Sequence, residues 1–237
     1  MHGKILIVKL GGTFPELAAA AGDFEDWTAE GLGVDPARVA VRCPPLGDAL
    51  PDPSGIAAAV VTGSHAMVTD RETWSVKTSG WIRDVLAADV PLLGICSGHQ
   101  LLALAAGGRV GDNPLGREFG TAEIRMRRGA EGDPLFRGLP PVFKAHVCHA
   151  QSVTALPHGA VLLASSGRDP HQAFRMGKRA WGVQFHPEFP AGAARFYARA
   201  CAGALRSEGQ DPEALASGVC DTPDAAGLLR RFGEMVS

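Results

Sequence analysis

No two cysteines in this 237-residue sequence stand in a Cys-x-x-Cys spacing; Cys43, Cys96, Cys148, Cys201 and Cys220 are scattered and odd in number. That pattern excludes a thiolate metal knuckle and predicts free thiols in a reducing compartment, so a cytoplasmic setting without a bound metal is expected. No apolar run approaches the roughly 20 residues needed to span a bilayer, and Met1-His2-Gly3-Lys4 leads straight into an apolar strand rather than a secretory signal. Neither sign of charge dominates. With 23 Lys and Arg against 25 Asp and Glu, the net charge of −2 gives no electrostatic drive toward nucleic acid or an anionic membrane. The short Arg125-Met126-Arg127-Arg128 reads as a solvated strand end. Gly-x-Gly-x-x-Gly and a Gly-rich, Lys-bearing phosphate loop are both missing, so no nucleotide cofactor is expected. Nothing resembles a linker between compact halves, and one domain is expected over residues 1–237, with a short helical extension from about 207.

What is present is an alternation of apolar runs and helical spacings. Residues 4–10 form a continuous run rich in β-branched side chains, as in a central parallel strand buried on both faces. Further strands are predicted at 38–42, 57–62 and 91–95, and helices at 15–21, continuing over 26–32, at 73–87, and at 101–106 before Gly107-Gly108. Strands followed by helices predict an α/β fold with a doubly wound, mostly parallel sheet. Residues 160–164 read as a further strand, and 172–176 as a strand forming a hairpin with 180–185 around Gly177-Lys178. Helices at 193–205 and 225–235 close the chain.

The most informative stretch is Gly94-Ile95-Cys96-Ser97-Gly98-His99-Gln100, where an apolar strand turns sharply into a helix. Small residues on either side of Cys96 allow the tight bend of a nucleophile elbow, which pushes one side chain out above a sheet edge. At the start of a helix that thiol meets free N–H groups and the positive end of the dipole, which favour thiolate.

A nucleophile needs a base, and Trp181-Gly182-Val183-Gln184-Phe185-His186-Pro187-Glu188 supplies a candidate. The alternating run reads as a strand, Pro187 stops any helix, and His186 and Glu188 project to the same side. A carboxylate two residues on can hold the imidazole in one tautomer and stabilise its charged form. Singly, a buried Cys or a lone His is most often structural. Together, glycine-flanked Cys96 and His186-Pro187-Glu188 point to a catalytic triad.

These two motifs resemble the class I, or triad, glutamine amidotransferase family, and are especially similar to the branch containing the glutaminase part of GMP synthetase and its stand-alone relatives. The resemblance implies a flavodoxin-like fold with a small additional antiparallel sheet, entered at residues 121–124, a strand and turn at 142–153 that border the glutamine pocket, and hydrolysis of the glutamine side-chain amide through a γ-glutamyl thioester on Cys96. It implies backbone oxyanion donors at Ser64, or its neighbour Gly63, and at Ser97, although Gly63-Ser64-His65 replaces the family's commoner Gly-Gly-Pro. It makes Gly63, Gln100 and Gln151 substrate-binding candidates, with Gln151 standing where relatives commonly carry Asp in Ser-His-x-Asp-x-Val. His65 is read as a rim residue, His149 as structural, and Asp70 and Arg71 as a helix cap or pocket mouth. No cofactor is implied. An ammonia acceptor, if there is one, is a separate synthetase chain. Two other functions fit the same residues, a γ-glutamyl hydrolase or peptidase acting alone and a non-catalytic regulatory module.

Overall fold

The computed structural model describes residues 3–237. Its strands are β1 (Ile5–Val8), β2 (Val39–Arg42), β3 (Ala58–Val61), β4 (Leu92–Ile95), β5 (Arg109–Asp112), β6 (Glu118–Met126), β7 (Val142–His149), β8 (Gln151–Ala155), β9 (Val161–Ser165), β10 (Ala173–Met176) and β11 (Ala180–Val183). The helices are α1 (Pro15–Ala21), α2 (Phe24–Leu32), α3 (Thr73–Ala87), α4 (Ser97–Ala105), α5 (Ala191–Ala200), α6 (Ala202–Ser207), α7 (Pro212–Ser217) and α8 (Pro223–Met235).

One large sheet runs β2-β1-β3-β4-β11-β10-β9-β6-β7, and β5 pairs with β8 in a separate two-stranded antiparallel sheet. The first five strands of that order are mutually parallel, and from β11 onward each neighbour is antiparallel. The α/β class is the expected one. The antiparallel strands extend the main sheet at one side, while the small separate sheet is the β5–β8 pair.

Alternation along the parallel strands sorts the core into two layers. On one face Ile5, Val60, Leu93 and Trp181 pack with Leu228, Leu229 and Phe232 of α8. On the other, Leu6, Val61 and Leu92 pack with Trp81, Ile82 and Val85 of α3 and Leu101 and Leu102 of α4. A buried row on both faces explains why β1, β3, β4 and β11 are buried at every position.

Register places the site. Val61 lies beside Gly94, and Ile95 beside Val183, so β3, β4 and β11 end at one edge of the sheet. The Cys96 N–H donates to the Val183 carbonyl at 2.9 Å, tying the elbow to the strand that leads to His186.

The elements differ from expectation where local signals were read too broadly. Residues 15–32 form two helices, because Gly22 takes a positive φ of 84° and Asp23 starts α2 with a reciprocal capping box to Asp26. The predicted 193–205 helix breaks at Cys201 into α5 and α6. β5, which has no apolar run, exists through its pairing with β8. Among the described residues no helix is long and apolar enough to cross a membrane.

Candidate active site

The elbow is built as its glycines require. Cys96 has φ 50° and ψ −105°, a left-handed conformation that a side chain rarely adopts, and it caps the N-terminus of α4. A Cβ on Gly94 would lie 2.5 Å from the Gly98 carbonyl oxygen, and one on Gly98 would overlap the Val61 carbonyl. Strand β4, the turn and α4 therefore touch backbone to backbone, and strain at Cys96 is held by contacts that only glycine permits.

His186 follows β11, its N–H bonded to the His146 carbonyl at 2.8 Å. Its Nδ1 meets Glu188 Oε1 at 2.7 Å, with both side chains buried, and the Phe189 ring stacks on the imidazole at 4.0 Å. With Nδ1 on the carboxylate, Nε2 is the nitrogen free to exchange a proton with a nucleophile. Burial by itself would lower the pKa of His186, but the Glu188 carboxylate, and after it Cys96, override burial and push it up to about 10. His146, beside it, goes the other way: burial first, then the charge of His186, lowers its pKa to about 4, so it stays neutral.

The β3 turn completes the cluster. A Cβ on Gly63 would sit 3.1 Å from His186 Cε1 and 3.5 Å from the Cys96 Cβ, so Gly63, Cys96 and His186 converge. The Cys96 thiol points at the Cys148 carbonyl, 3.9 Å away. Ser97 is the first residue of α4, where an N–H has no intrahelical acceptor. Its hydroxyl donates to the Ser64 carbonyl at 3.3 Å, and the Ser64 hydroxyl accepts from the Ala66 N–H at 3.1 Å, locking the turn that follows β3.

Cys96, Ser64, Ser97, Gln100 and Gln151 all line one cavity of about 370 Å³. Gln100 is buried at its floor, its Nε2 donating to the Gln151 carbonyl at 2.9 Å and to Gln184 Oε1 at 3.0 Å. The Gln151 side chain turns from the cavity toward Thr69 and Asp112, donating to Thr69 Oγ1 at 2.6 Å and Asp112 Oδ1 at 3.2 Å. His65 lies on the rim, 2.8 Å from the Tyr197 hydroxyl, and burial lowers its pKa. His149 is held between Glu118 Oε2 and the Gln151 carbonyl, each at 3.0 Å, in a buried network. Arg71 lines a different cleft, and Glu72 occupies the N-cap of α3.

Among the polar residues that line the cavity, sequence reasoning assigned no role to Arg117 or Tyr197. Arg117 had a signal, since it sits in the glycine-bounded Gly116-Arg117-Glu118-Phe119-Gly120. Tyr197 had none, because only the packing of α5 against the β3 turn brings it to the rim.

Known proteins match this chain in sequence and in fold. The profile of the glutamine amidotransferase class-I family matches residues 64–197. The chain is 35% identical over 185 residues to GMP synthase (glutamine-hydrolyzing) of Aeropyrum pernix, covering 78% of this chain and 32% of that protein. It is 42% identical over 101 residues to one subunit of the GMP synthase (glutamine-hydrolyzing) of Archaeoglobus fulgidus, covering 42% of this chain and 53% of that one. The chain thus spans about a third of the first relative and about half of the second. In fold, the crystal structure of a glutamine amidotransferase from Thermotoga maritima is similar with a TM-score of 0.74 at 21% identity, covering 100% of this chain and 99% of its own. Since the family profile covers more than half of the sequence and includes both the elbow and His186-Pro187-Glu188, the chain belongs to the class-I glutamine amidotransferases.

Proposed function

We propose that the protein hydrolyses the side-chain amide of glutamine, with Cys96 as nucleophile, His186 as acid and base, and Glu188 as the group that orients His186. The observation that carries this reading is Cys96, strained at its elbow, converging with an imidazole whose other nitrogen is held by a buried carboxylate at 2.7 Å. Cys96 sulfur adds to the amide carbon, and the backbone N–H groups of Ser64 and Ser97 receive the oxyanion. Collapse breaks the C–N bond as His186 protonates the departing ammonia, leaving a γ-glutamyl thioester. Water, deprotonated by His186, attacks the thioester and releases glutamate and the thiol. Water is the sole co-reactant.

The ammonia passes in this reading to an acceptor enzyme on another polypeptide, of the kind suggested by the GMP synthase names of the relatives. The catalytic unit is one domain in a cytoplasmic protein.

A second reading, a γ-glutamyl hydrolase or peptidase acting alone, is favoured by one observation. Gln151 replaces the acid common in relatives, and its amide is committed to Thr69 and Asp112. Glutamate release from glutamine and from γ-glutamyl peptides separates the two, with Cys96→Ala as control. Cys96-dependent release chiefly from glutamine is expected, and release chiefly from peptides would transfer the assignment to the second reading. Release that is unchanged in Cys96→Ala, or absent even with a synthetase partner supplied, would leave a non-catalytic module.

A further inference from the structure

Between α3 and the elbow helix α4 lies a cleft of about 400 Å³ that shares no lining residue with the cavity beside Cys96. Arg71 and Arg83 line it, and no aspartate or glutamate does. Of the acidic residues close to them in sequence, Asp70 lies at the surface, Glu72 accepts from the Trp74 indole and Asp84 lines a different groove. Asp112, two residues past the lining Val110, takes the Gln151 amide. Among the described residues the arginines that form ion pairs are Arg117, Arg125, Arg175 and Arg199. Arg71 and Arg83 stand outside that set and neither guanidinium makes a hydrogen bond, so the walls carry two positive charges and no counter-charge.

Hydroxyl donors accompany them. Ser75, Ser79 and Arg83 recur every four residues and so share one face of α3. The Arg83 guanidinium leans back along that helix, its Nη2 3.5 Å from where a Cβ on Gly80 would lie. Ser75 and Ser79 line the cleft with hydroxyls that make no hydrogen bond among the described residues. The Thr69 hydroxyl accepts from the Gln151 amide at 2.6 Å and keeps its own hydrogen to donate.

Arg71 is held against its backbone preference. Its φ of 54° and ψ of 40° are left-handed, with its N–H on the Val68 carbonyl at 3.3 Å. Glycine takes that conformation freely, whereas a long side chain there costs stability, and strain of this kind gathers at ligand sites. Val76 and Leu104, 48% and 36% exposed, stand on the same cleft and leave apolar surface bare.

We infer that this cleft binds a small phosphate monoester with an apolar body. Two planar guanidiniums match a dianion with three acceptor oxygens, where a carboxylate occupies only one of them. The hydroxyls supply further donors, and Val76 and Leu104 cover the body of the ester. The site is independent of the acyl transfer at Cys96 and stands or falls separately from it.

Calorimetric titration of the whole chain with phenyl phosphate, inorganic phosphate and benzoate tests the inference. Phenyl phosphate is expected to bind about tenfold or more tightly than either of the others, since one lacks the ring and the other the dianion. Arg71→Gly and Arg83→Gln are each expected to weaken it by about tenfold or more, the worth of a hydrogen bond to a charged group. Arg71→Gly also relieves the left-handed strain, so its thermal midpoint without ligand should equal or exceed that of wild type, and its lost affinity reports the site and not the fold. No binding of phenyl phosphate at millimolar concentration, or undiminished binding by either variant, overturns the inference. So does inorganic phosphate, benzoate or a polyglutamate peptide that binds as tightly, the last of which would make the cleft a docking surface for an acidic protein segment.

Discussion

In the proposed reaction, Glu188 is the residue on which the chemistry most depends after Cys96. Its carboxylate holds His186 Nδ1 at 2.7 Å and is the largest influence raising the imidazole pKa to about 10 against the opposing effect of burial. Glu188→Gln keeps the volume and one acceptor but removes the charge, and is expected to lower kcat about ten-thousandfold, as neutralising the orienting acid does in analogous triads. Ammonia release at saturating amide checks this. The same shift links stability to pH. A His whose folded pKa lies above the ~6.5 of a free imidazole contributes stability in full below about pH 6.5, and loses it as pH rises through about 10. The stability advantage of wild type over Glu188→Gln is therefore expected to shrink between about pH 7 and about pH 10. Denaturant midpoints of both proteins across that range measure it, and a constant gap would remove Glu188 as the cause of the raised pKa.

At the scale of elements, the elbow depends on contact between β3, β4 and the first turn of α4. Gly98 meets the Val61 carbonyl with no room for a Cβ, and Gly94 meets the Gly98 carbonyl at a distance no real Cβ tolerates. Gly98→Ala has to push α4 away from β3, and a loss of about 3 kcal/mol is expected, the upper end of what overpacking usually costs. Urea unfolding reads that loss, and the activity of whatever remains folded should fall with it, because moving α4 moves Cys96 and the Ser97 N–H together. A change confined to activity would mean that the elbow adjusts locally. Gly107, by comparison, has a φ of 92° but open space around it, so its demand is conformational and not steric.

At the scale of the molecule, α8 covers one face of the main sheet. Leu228, Leu229 and Phe232 of α8 are fully buried against Ile5, Leu32 and Trp181, under the parallel half of the sheet. Phe232 meets the Trp181 ring edge-on at 6.3 Å, and Trp181 belongs to β11, the strand that leads to His186. Phe232→Ala is expected to cost about 3–5 kcal/mol, as for other large buried aromatics, with KM for the amide nearly unchanged in the folded fraction. Thermal unfolding together with steady-state kinetics tests both halves of that statement. Residues past 207 thus help to build the core that supports the site, although composition alone made them look like an extension.

The parallel half of the fold was legible in the amino-acid sequence because buried parallel strands carry continuous apolar runs, and β1, β3 and β4 do so in four-residue blocks. The sharp turn at Cys96 was legible for a similar reason, since such a turn needs small residues at fixed offsets, and Gly94 and Gly98 supply them. Strand β5 was not legible, because Arg109–Asp112 becomes a strand through its partner β8 and not through its own composition. The same holds for the character of the cavity. That Glu118 is spent on His149, that Gln151 faces Thr69, and that Arg117 lines the same cavity as the thiol are matters of which side chains long-range packing brings together. Local spacing determined where a thiol would sit on a strained turn at the head of a helix. Only the tertiary structure decided which charges would surround it, because hydrogen-bond partners 31 and 82 residues apart, as in Glu118 with His149 and Thr69 with Gln151, leave no local pattern.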